Sequence, residues 1–154
     1  MDRLLVANRG EIARRVFTTC RRLGISTVAV YSEPDADALF VREADLAVAL
    51  GGSTPAESYL RSDAVIAAAL ATGADAIHPG YGFLSENAAF AQQVLDAGLT
   101  WVGPSPEAIT AMGSKIGARE RMEAAGVPVL PGAHLVDGEE LGAAAERIGF
   151  PLLV

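Results

Sequence analysis

Short apolar runs alternate with longer segments of helical periodicity along the first hundred residues. The apolar runs lie at residues 4–7, 27–31, 46–50, 75–78 and 100–102. Runs of this kind, separated by helical patterns, are typical of parallel strands that are buried on both faces of a sheet. We therefore predict an α/β fold with a doubly wound parallel sheet over about residues 1–112.

The first helix is predicted over residues 11–23, where apolar side chains recur at spacings of four, four and three and therefore share one face. That face consists of Ile12, Val16, Cys20 and Leu23. We expect Asn8 to cap the start of the helix, with Glu11 three residues later as in a capping box. Gly24 follows the last apolar residue and is expected to end the helix.

Two further helices are predicted in the same region. They cover residues 63–72 and 86–97 and are followed by Gly73 and Gly98. Glycine is favoured after a helix because it adopts a left-handed backbone without steric cost. Ser85 is expected to cap the second of these helices.

The pattern changes after Gly113. The predicted segments are a helix that is capped by Ser114 and runs to about Ala125, an extended linker over residues 126–131 and a helix from about Gly138 to Ile148. The chain then ends in the apolar residues 150–154, which are typical of a strand, and an unpaired apolar strand favours aggregation. We therefore expect residues 113–154 to begin a second domain whose remainder is missing.

Composition and charge exclude several classes of protein. Twelve basic residues against 19 acidic ones give a net charge of −7, which argues against a nucleic-acid partner. No apolar run approaches the roughly 18 residues of a membrane helix. With Cys20 as the single cysteine and no signal-peptide pattern, we expect a cytoplasmic protein. His78 and His134 lie far apart without metal-ligand spacing, so no metal site is expected within the chain.

Two segments after predicted strands are candidates for ligand binding. The first, residues 7–11, holds only Gly10 of the glycines in a dinucleotide fingerprint, which argues against a nicotinamide or flavin cofactor; Arg9 is expected there in a structural ion pair. The second, residues 78–87, leaves the carboxyl end of a strand, where open α/β sheets bind ligands. It either lines a ligand site or is a shaped connection with one packed aromatic residue.

Lys115 is the single lysine of a chain that otherwise uses arginine for positive charge. It lies at a predicted helix start, where free backbone N–H groups favour anions. A compact ammonium suits a phosphate group as a point charge. A nucleotide phosphate contact and a merely solvated lysine are the two interpretations.

Five blocks of the sequence resemble the N-terminal region of biotin carboxylase. They are LVANRGEIA at residues 5–13, TVAVYS at 27–32, GADAIHPGYGFLSEN at 73–87, GPSPEAI at 103–109 and MGSKI at 112–116. The resemblance is closest to the biotin-carboxylase-bearing subunit of bacterial acyl-CoA carboxylases, which act on acetyl-CoA or propionyl-CoA. It implies a Rossmann-like domain at residues 1–112, followed at 113–154 by the start of a truncated ATP-grasp domain.

The resemblance also implies the chemistry. Members of the family use ATP, bicarbonate and Mg²⁺ or Mn²⁺ to carboxylate biotin on a carrier domain. Lys115 matches the nucleotide-contacting lysine of the M-G-x-K motif, and Tyr81, Gly82 and Phe83 match the segment that faces the cleft near biotin or bicarbonate. The family's second ATP-contacting lysine, glycine-rich loop, metal-binding carboxylates and catalytic arginine all follow later, so the resemblance places no catalytic or metal-binding residue within this chain. The isolated chain is therefore expected to be inactive.

Partners and departures follow from the same resemblance. The implied partners are a biotin carboxyl carrier domain, a carboxyltransferase subunit and a second copy of the chain, which would pair through the first helix. Thr18 and Arg22 differ from relatives on that helix. Phe40 replaces a histidine common in relatives, and we expect it to change surface packing only.

Other functions stay open at this stage. The alternatives are a pyruvate-carboxylase-type enzyme, another ATP-grasp ligase such as carbamoyl-phosphate synthase, and a Rossmann-like binding module without catalysis. The resemblance implies that the acceptor of the carboxyl group would be selected by a carboxyltransferase outside this chain.

Overall fold

The computed structural model describes residues 1–133, 135 and 140–152. The chain divides into two compact units, Met1–Thr110 and Ala111–Val154. Within the described residues, no helix has the length and apolar character needed to cross a membrane.

The first unit is built on a five-stranded sheet in the order β3-β2-β1-β4-β5, with every neighbouring pair parallel. The strands are β1 (Arg3–Val6), β2 (Ser26–Tyr31), β3 (Leu46–Ala49), β4 (Ala76–His78) and β5 (Thr100–Trp101). Each predicted apolar run therefore forms a strand, and the predicted doubly wound sheet is confirmed. The chain leaves β1 toward β2 and β3 and returns to its other side at β4, and ligands bind at such a reversal in open α/β sheets.

Helices connect the strands. They are α1 (Gly10–Leu23), α2 (Leu39–Glu43), α3 (Ser62–Thr72), α4 (Ala88–Asp96) and α5 (Pro106–Gly113), with short 3₁₀ turns at Glu33–Asp35 and Pro55–Glu57. The three helices predicted before residue 100 are present, with bounds shifted by one or two residues. The division between the two units falls within α5.

Neighbouring residues of a strand point to opposite sides of the sheet, and both faces are buried at β1, β2 and β4, whereas the edge strand β3 is largely exposed. Leu5 and Ile77 pack with α3 and α4 on one face, whereas Leu4 and Val6 pack with α1 and α2 on the other. Burial on both sides explains why the sequences of β1, β2 and β4 are largely apolar without alternation.

The predicted buried stripe of α1 is wrong by one position. The fully buried residues of the helix are Ala13, Phe17 and Cys20, while Leu23, assigned to the core from its spacing, is 68% exposed. Both stripes include Cys20, and Val16 is half-buried against the same cluster, so the buried face overlaps the predicted one and is turned toward Ala13 and Phe17. Phe17 fills the core more completely than the aliphatic alternatives, and the small side chain of Ala13 lets the helix lie close to the sheet.

Two predicted helix caps are also wrong. The N-cap of α1 is Arg9, without a side-chain cap, because the side chain of Asn8 is engaged elsewhere. The cap of α4 is Asn87 instead of Ser85, and its Oδ1 accepts a hydrogen bond from the backbone N–H of Phe90 at 3.0 Å. The predicted glycine after α1 is confirmed, since Gly24 has a φ of 73°.

Phe40 is a core residue, which corrects the expectation that it changes only surface packing. It is 1% exposed and belongs to the same buried cluster as Phe17. The short helix α2 packs against α1, and its buried side chain, Phe40, reaches the core, with Val41 partly buried against the same cluster. A charged or polar side chain at this position would require its own hydrogen-bond partners.

The second unit contains α6 (Lys115–Ala124) and α7 (Leu141–Ile148). The predicted cap of α6 is confirmed: Ser114 Oγ accepts from the backbone N–H of Gly117 at 3.2 Å. The predicted start of α7 at Gly138 lies outside the described residues, as does the end of the predicted final strand. Its described part, residues 150–152, forms no strand.

Candidate functional site

The side chain of Asn8 joins the turn after β1 to the loop after β4. It is 1% exposed, and its Nδ2 donates to the carbonyl oxygens of Pro79 and Tyr81, both at 2.9 Å. Its Oδ1 accepts from the backbone N–H of Arg9 at 2.9 Å. This buried amide therefore has partners for both its donors and its acceptor, as buried polar groups require.

The loop after β4 approaches α1 so closely that Gly80 leaves no room for a side chain. A Cβ on Gly80 would lie 2.8 Å from Asn8 Nδ2 and 2.8 Å from Ile12 Cγ2. The backbone there also has a φ of 68°. Gly82 has a similar φ of 69°, but its Cβ position is open. Gly80 is therefore needed both for its small size and for its left-handed backbone, whereas Gly82 is needed for its left-handed backbone alone.

His78 supports the same turn from the end of β4. Its Nδ1 accepts a hydrogen bond from the backbone N–H of Gly80 at 2.9 Å, so that nitrogen carries no proton. Burial lowers the pKa of the imidazole, because the charged form is less well solvated. His78 is therefore a neutral, structural hydrogen-bond acceptor.

Tyr81 is presented at the surface of this loop. Its side chain is 59% exposed, and its hydroxyl donates to Glu11 Oε1 at 2.5 Å. That hydrogen bond raises the pKa of the hydroxyl above its ordinary value. Glu11 also pairs with Arg15 at 3.6 Å. Tyr81 lines a surface depression of about 540 Å³ together with residues of α1 and α2.

Phe83 has different surroundings, although it lies only two residues later. Its ring stacks on that of Tyr59, with centroids 5.1 Å apart and planes at 11°. It is half-buried, and its φ of 45° is in the left-handed region, which is uncommon for a residue other than glycine. Phe83 is therefore the packed aromatic residue of one interpretation, while the lining of a ligand site stays a prediction.

Tyr59 also belongs to a polar cluster below the loop. Its hydroxyl donates to Asp35 Oδ2 at 2.6 Å, and the same oxygen accepts from Arg9 Nη1 at 3.0 Å and from Ser32 Oγ at 3.2 Å. The Arg9–Asp35 contact is the ion pair predicted for Arg9. Burial alone would raise the pKa of Asp35, but the hydrogen bonds from Tyr59 and Arg9 outweigh it and lower that pKa.

Lys115 is the first residue of α6 and lies in the second unit. Its side chain is exposed, and it has no ion pair within residues 1–133, 135 and 140–152. Ser114 occupies the cap, so one N–H group of the first turn is satisfied by its hydroxyl, and the earlier N–H groups of a helix have no intrahelical partner. The geometry is that of an accessible cation at a helix start.

Cysteine and metal-ligand chemistry contribute nothing further to the site. Cys20 is buried on α1, and burial raises the pKa of its thiol. Among the residues that the structure describes, no group of three or more His, Cys, Asp and Glu side chains is placed to hold a metal ion. His134 lies outside the described residues.

Asn8, Tyr59 and Asp35 shape the loop, and none of the three was predicted to do so. Asn8 directly follows a buried strand, and a polar residue at the carboxyl end of a strand was a usable signal. For Tyr59 and Asp35 no local signal existed, because their contacts come from different connections of the sheet.

A comparison with protein families gives one match, over residues 1–109, to the family described as "Biotin carboxylase, N-terminal domain". This match covers most of the chain, including Asn8, Tyr59 and the loop after β4. It ends before Lys115.

Curated relatives carry the similarity to the end of the chain. A biotin carboxylase of Halalkalibacterium halodurans is 52% identical over 154 residues, covering 99% of this chain and 34% of the relative. The mitochondrial methylcrotonoyl-CoA carboxylase subunit alpha of Oryza sativa subsp. japonica is 56% identical over 156 residues, covering 100% of this chain and 21% of the relative. The chain thus spans about a third or less of the length of these relatives.

Solved structures give the same result. The biotin carboxylase domain of the Hydrogenobacter thermophilus 2-oxoglutarate carboxylase, a dimer in complex with MgADP, ADP and bicarbonate, matches with a TM-score of 0.89 at 46% identity. The match covers 97% of this chain and 33% of that one. The biotin carboxylase subunit of a pyruvate carboxylase matches with a TM-score of 0.84 at 48% identity, over 97% of this chain and 34% of that one.

Proposed function

The chain belongs to the biotin carboxylase N-terminal domain family, and from that premise we propose that it is the N-terminal segment of a biotin carboxylase within an acyl-CoA carboxylase. The complete enzyme would use ATP and bicarbonate to carboxylate biotin carried on a separate domain. Residues 1–112 would form its Rossmann-like domain, and residues 113–154 would begin its ATP-grasp domain.

The observation that carries this proposal is the loop after β4. Its block of residues 78–87 is held at the carboxyl ends of β1 and β4 by Asn8, where sheets of this kind bind ligands. The same fixation leaves the ring of Tyr81 exposed. We assign to Tyr81, with the adjacent Gly82, the wall near biotin or bicarbonate. Phe83, the third residue assigned to that wall, holds the loop in place through the stacking of its ring on Tyr59.

Lys115 is proposed as a contact of the ATP phosphates. An exposed ammonium at a helix start meets the requirements of a phosphate contact, since helix N-termini and point charges both favour anions. The remaining cationic and metal-binding groups needed for phosphoryl transfer are assigned to the part of the enzyme beyond residue 154. Mg²⁺ or Mn²⁺ would be bound there together with the nucleotide.

Partners and compartment are part of the same proposal. A carrier domain delivers biotin, a carboxyltransferase subunit transfers the carboxyl group to its acceptor, and a second copy pairs through α1. On that helix Thr18 Oγ1 is bonded to the carbonyl of Arg14, and Arg22 is exposed. A cytoplasmic location fits the buried free thiol of Cys20, since reducing compartments keep thiols free.

The test is ATP cleavage by the full-length enzyme that carries this chain. We expect cleavage to require both biotin and bicarbonate, and the 154-residue chain to show no turnover under the same conditions. Cleavage by the full-length enzyme that does not depend on biotin would refute the proposed activity. Biotin-dependent cleavage by residues 1–154 alone would refute the assignment of this chain as an incomplete segment.

A pyruvate- or 2-oxoglutarate-type carboxylase is the second candidate, favoured by the structural matches to enzymes of those kinds. The same full-length preparation separates the two. Transfer of labelled bicarbonate to acetyl-CoA or propionyl-CoA supports the first proposal, and transfer to a keto acid supports the second.

A further inference from the structure

Tyr59 makes contacts with three other connections at the carboxyl edge of the sheet. It lies after β3, is 2% exposed and stacks on Phe83 after β4. Its hydroxyl donates to Asp35 and accepts from the backbone N–H of Ser32 at 3.1 Å, and both of these follow β2. The guanidinium of Arg9, after β1, lies 5.8 Å from the centre of its ring.

We propose that Tyr59 is a positioning residue for the loop that presents Tyr81. The inference rests on the proposed function, since it assigns to Tyr59 an effect on the use of biotin. Tyr59 acts through Phe83 and does not itself touch the substrate.

The backbone of Phe83 shows why an anchor is needed. A φ of 45° is unfavourable for a side chain with a Cβ and persists only where the surroundings hold it in place. The flat stack on Tyr59 is the contact that holds the ring of Phe83. If the ring were released, the backbone would relax toward common φ values, and Tyr81, two residues earlier, would turn with it.

Tyr59 is itself fixed by its polar contacts. Burial, together with the hydrogen bond to Asp35, raises the pKa of its hydroxyl to about 12. The hydroxyl therefore stays protonated near neutral pH and remains a donor to Asp35. Arg9 completes the arrangement by pairing with the same carboxylate at 3.0 Å. These contacts stabilise the folded chain, while the ring itself is 2% exposed and packed among buried apolar residues, so its orientation against Phe83 does not depend on the hydroxyl alone.

Two variants separate the ring from the hydroxyl. Tyr59→Leu removes the stack and the hydroxyl, whereas Tyr59→Phe removes the hydroxyl alone and keeps the ring. In the full-length enzyme we expect Tyr59→Leu to lower kcat/KM for free biotin about tenfold or more, since misplacement by about 1 Å can cost up to 10²-fold. The KM for ATP should stay within about twofold. Tyr59→Phe should lower the melting temperature yet keep kcat/KM for biotin within about threefold, because the stack remains.

Phe17→Leu is the matched control. It shortens a fully buried aromatic residue on the opposite face of the sheet, away from the loop. We expect a lower melting temperature and unchanged kinetics with biotin. If Tyr59→Leu behaves in the same way, Tyr59 is a core residue only and the positioning role is wrong. If Tyr59→Phe loses as much kcat/KM as Tyr59→Leu, the stack on Phe83 is not the anchor and the inference is also wrong.

A second measurement covers the case in which Tyr59→Leu does not fold. Hydrogen exchange on Phe83→Leu should then be faster at the loop amides of Gly80, Ser85 and Asn87, which are hydrogen-bonded within the loop, and unchanged in α3. If these loop amides exchange at the same rate in the wild type and in Phe83→Leu, the inference is overturned. The wild-type enzyme tests the proposed function separately. If its ATP cleavage does not depend on biotin, the proposed function is wrong, whatever the variants show.

Discussion

The side-chain amide of Asn8 donates to the carbonyl oxygen of Tyr81 at 2.9 Å, across 73 positions of the sequence. With the parallel bond to Pro79, it makes the turn after β1 and the loop after β4 a single structural unit. The position of Tyr81 therefore depends on a residue in the first strand–helix connection.

Asn8→Asp should destabilise the chain strongly. The substitution removes both donors and places a carboxylate against two carbonyl oxygens, and a buried group left without a partner costs about 1–3 kcal/mol, more when it is charged. We expect a loss of about 3 kcal/mol in the free energy of unfolding, measured with denaturant. Asn87→Asp is the control, because Asn87 caps α4 through its oxygen and aspartate caps equally well. Equal effects of the two substitutions would contradict the bridging role.

Gly80→Ala should be more destabilising than Gly82→Ala. Both residues have φ near 70°, so both substitutions carry the cost of a left-handed backbone, about 1–2 kcal/mol. Only at Gly80 does the new Cβ also collide with Asn8 and Ile12. Thermal or denaturant unfolding of the two variants measures the difference. If they unfold alike, the loop does not approach α1 as closely as described.

The Asp35 cluster predicts a dependence of stability on pH. Hydrogen bonds from Tyr59 and Arg9 lower the pKa of Asp35 in the folded chain, so the folded state favours the ionised form. The stabilisation is present above the unfolded pKa, about 3.9, and is lost as the pH falls through the lower folded pKa. Unfolding free energies of the wild type and Asp35→Asn, measured from pH 6 to pH 2, should therefore differ most at pH 6 and converge in acid. A gap that stays constant would contradict the assignment.

Lys115→Gln in the full-length enzyme should raise the KM for ATP with little change in stability. The side chain is exposed, so the fold does not depend on it, whereas a charged contact with phosphate contributes about 1.5–3 kcal/mol, or at least about tenfold in binding. Arg121→Gln serves as the control, because it removes another exposed cation from the same helix. Unchanged ATP kinetics in Lys115→Gln would remove the assigned role.

Tyr81→Ala in the full-length enzyme should impair biotin carboxylation more than ATP binding. Its side chain is 59% exposed, so its removal opens no cavity in the core, and the melting temperature should change little. Steady-state kinetics with biotin and with ATP as the varied substrate, together with a melting curve, test this. A large loss of stability with equal effects on both substrates would instead assign Tyr81 to packing.

The sequence predicted the strands well because their signal is local. A buried parallel strand must be apolar on both faces, and each of the five runs was short and continuous. The face of α1 was harder to predict, since Val16 and Phe17 both suit a core and only the packed sheet decides between them. The change at Phe40 was misjudged for the same reason, because burial depends on how α2 docks.

The site was predictable only in part. The loop after β4 was identified from its glycines and its position after a strand. The role of Asn8 was not, because its place in the sequence just before α1 is the same whether its side chain caps that helix or bonds to Tyr81. Tyr59 contacts Asp35 and Phe83, which are each 24 positions away in the sequence and follow other strands of the sheet. No periodicity encodes such pairs, so they emerge only when the sheet brings its carboxyl ends together.

The central place of β1 has a consequence for synthesis on the ribosome. The strand emerges first and can pair with β2 early, yet its other edge stays open until β4 emerges about 70 residues later. Synthesis at about 5–20 residues per second leaves that edge exposed for several seconds. We therefore expect the open edge of β1 to be susceptible to mispairing with other chains during this interval, until β4 pairs with it.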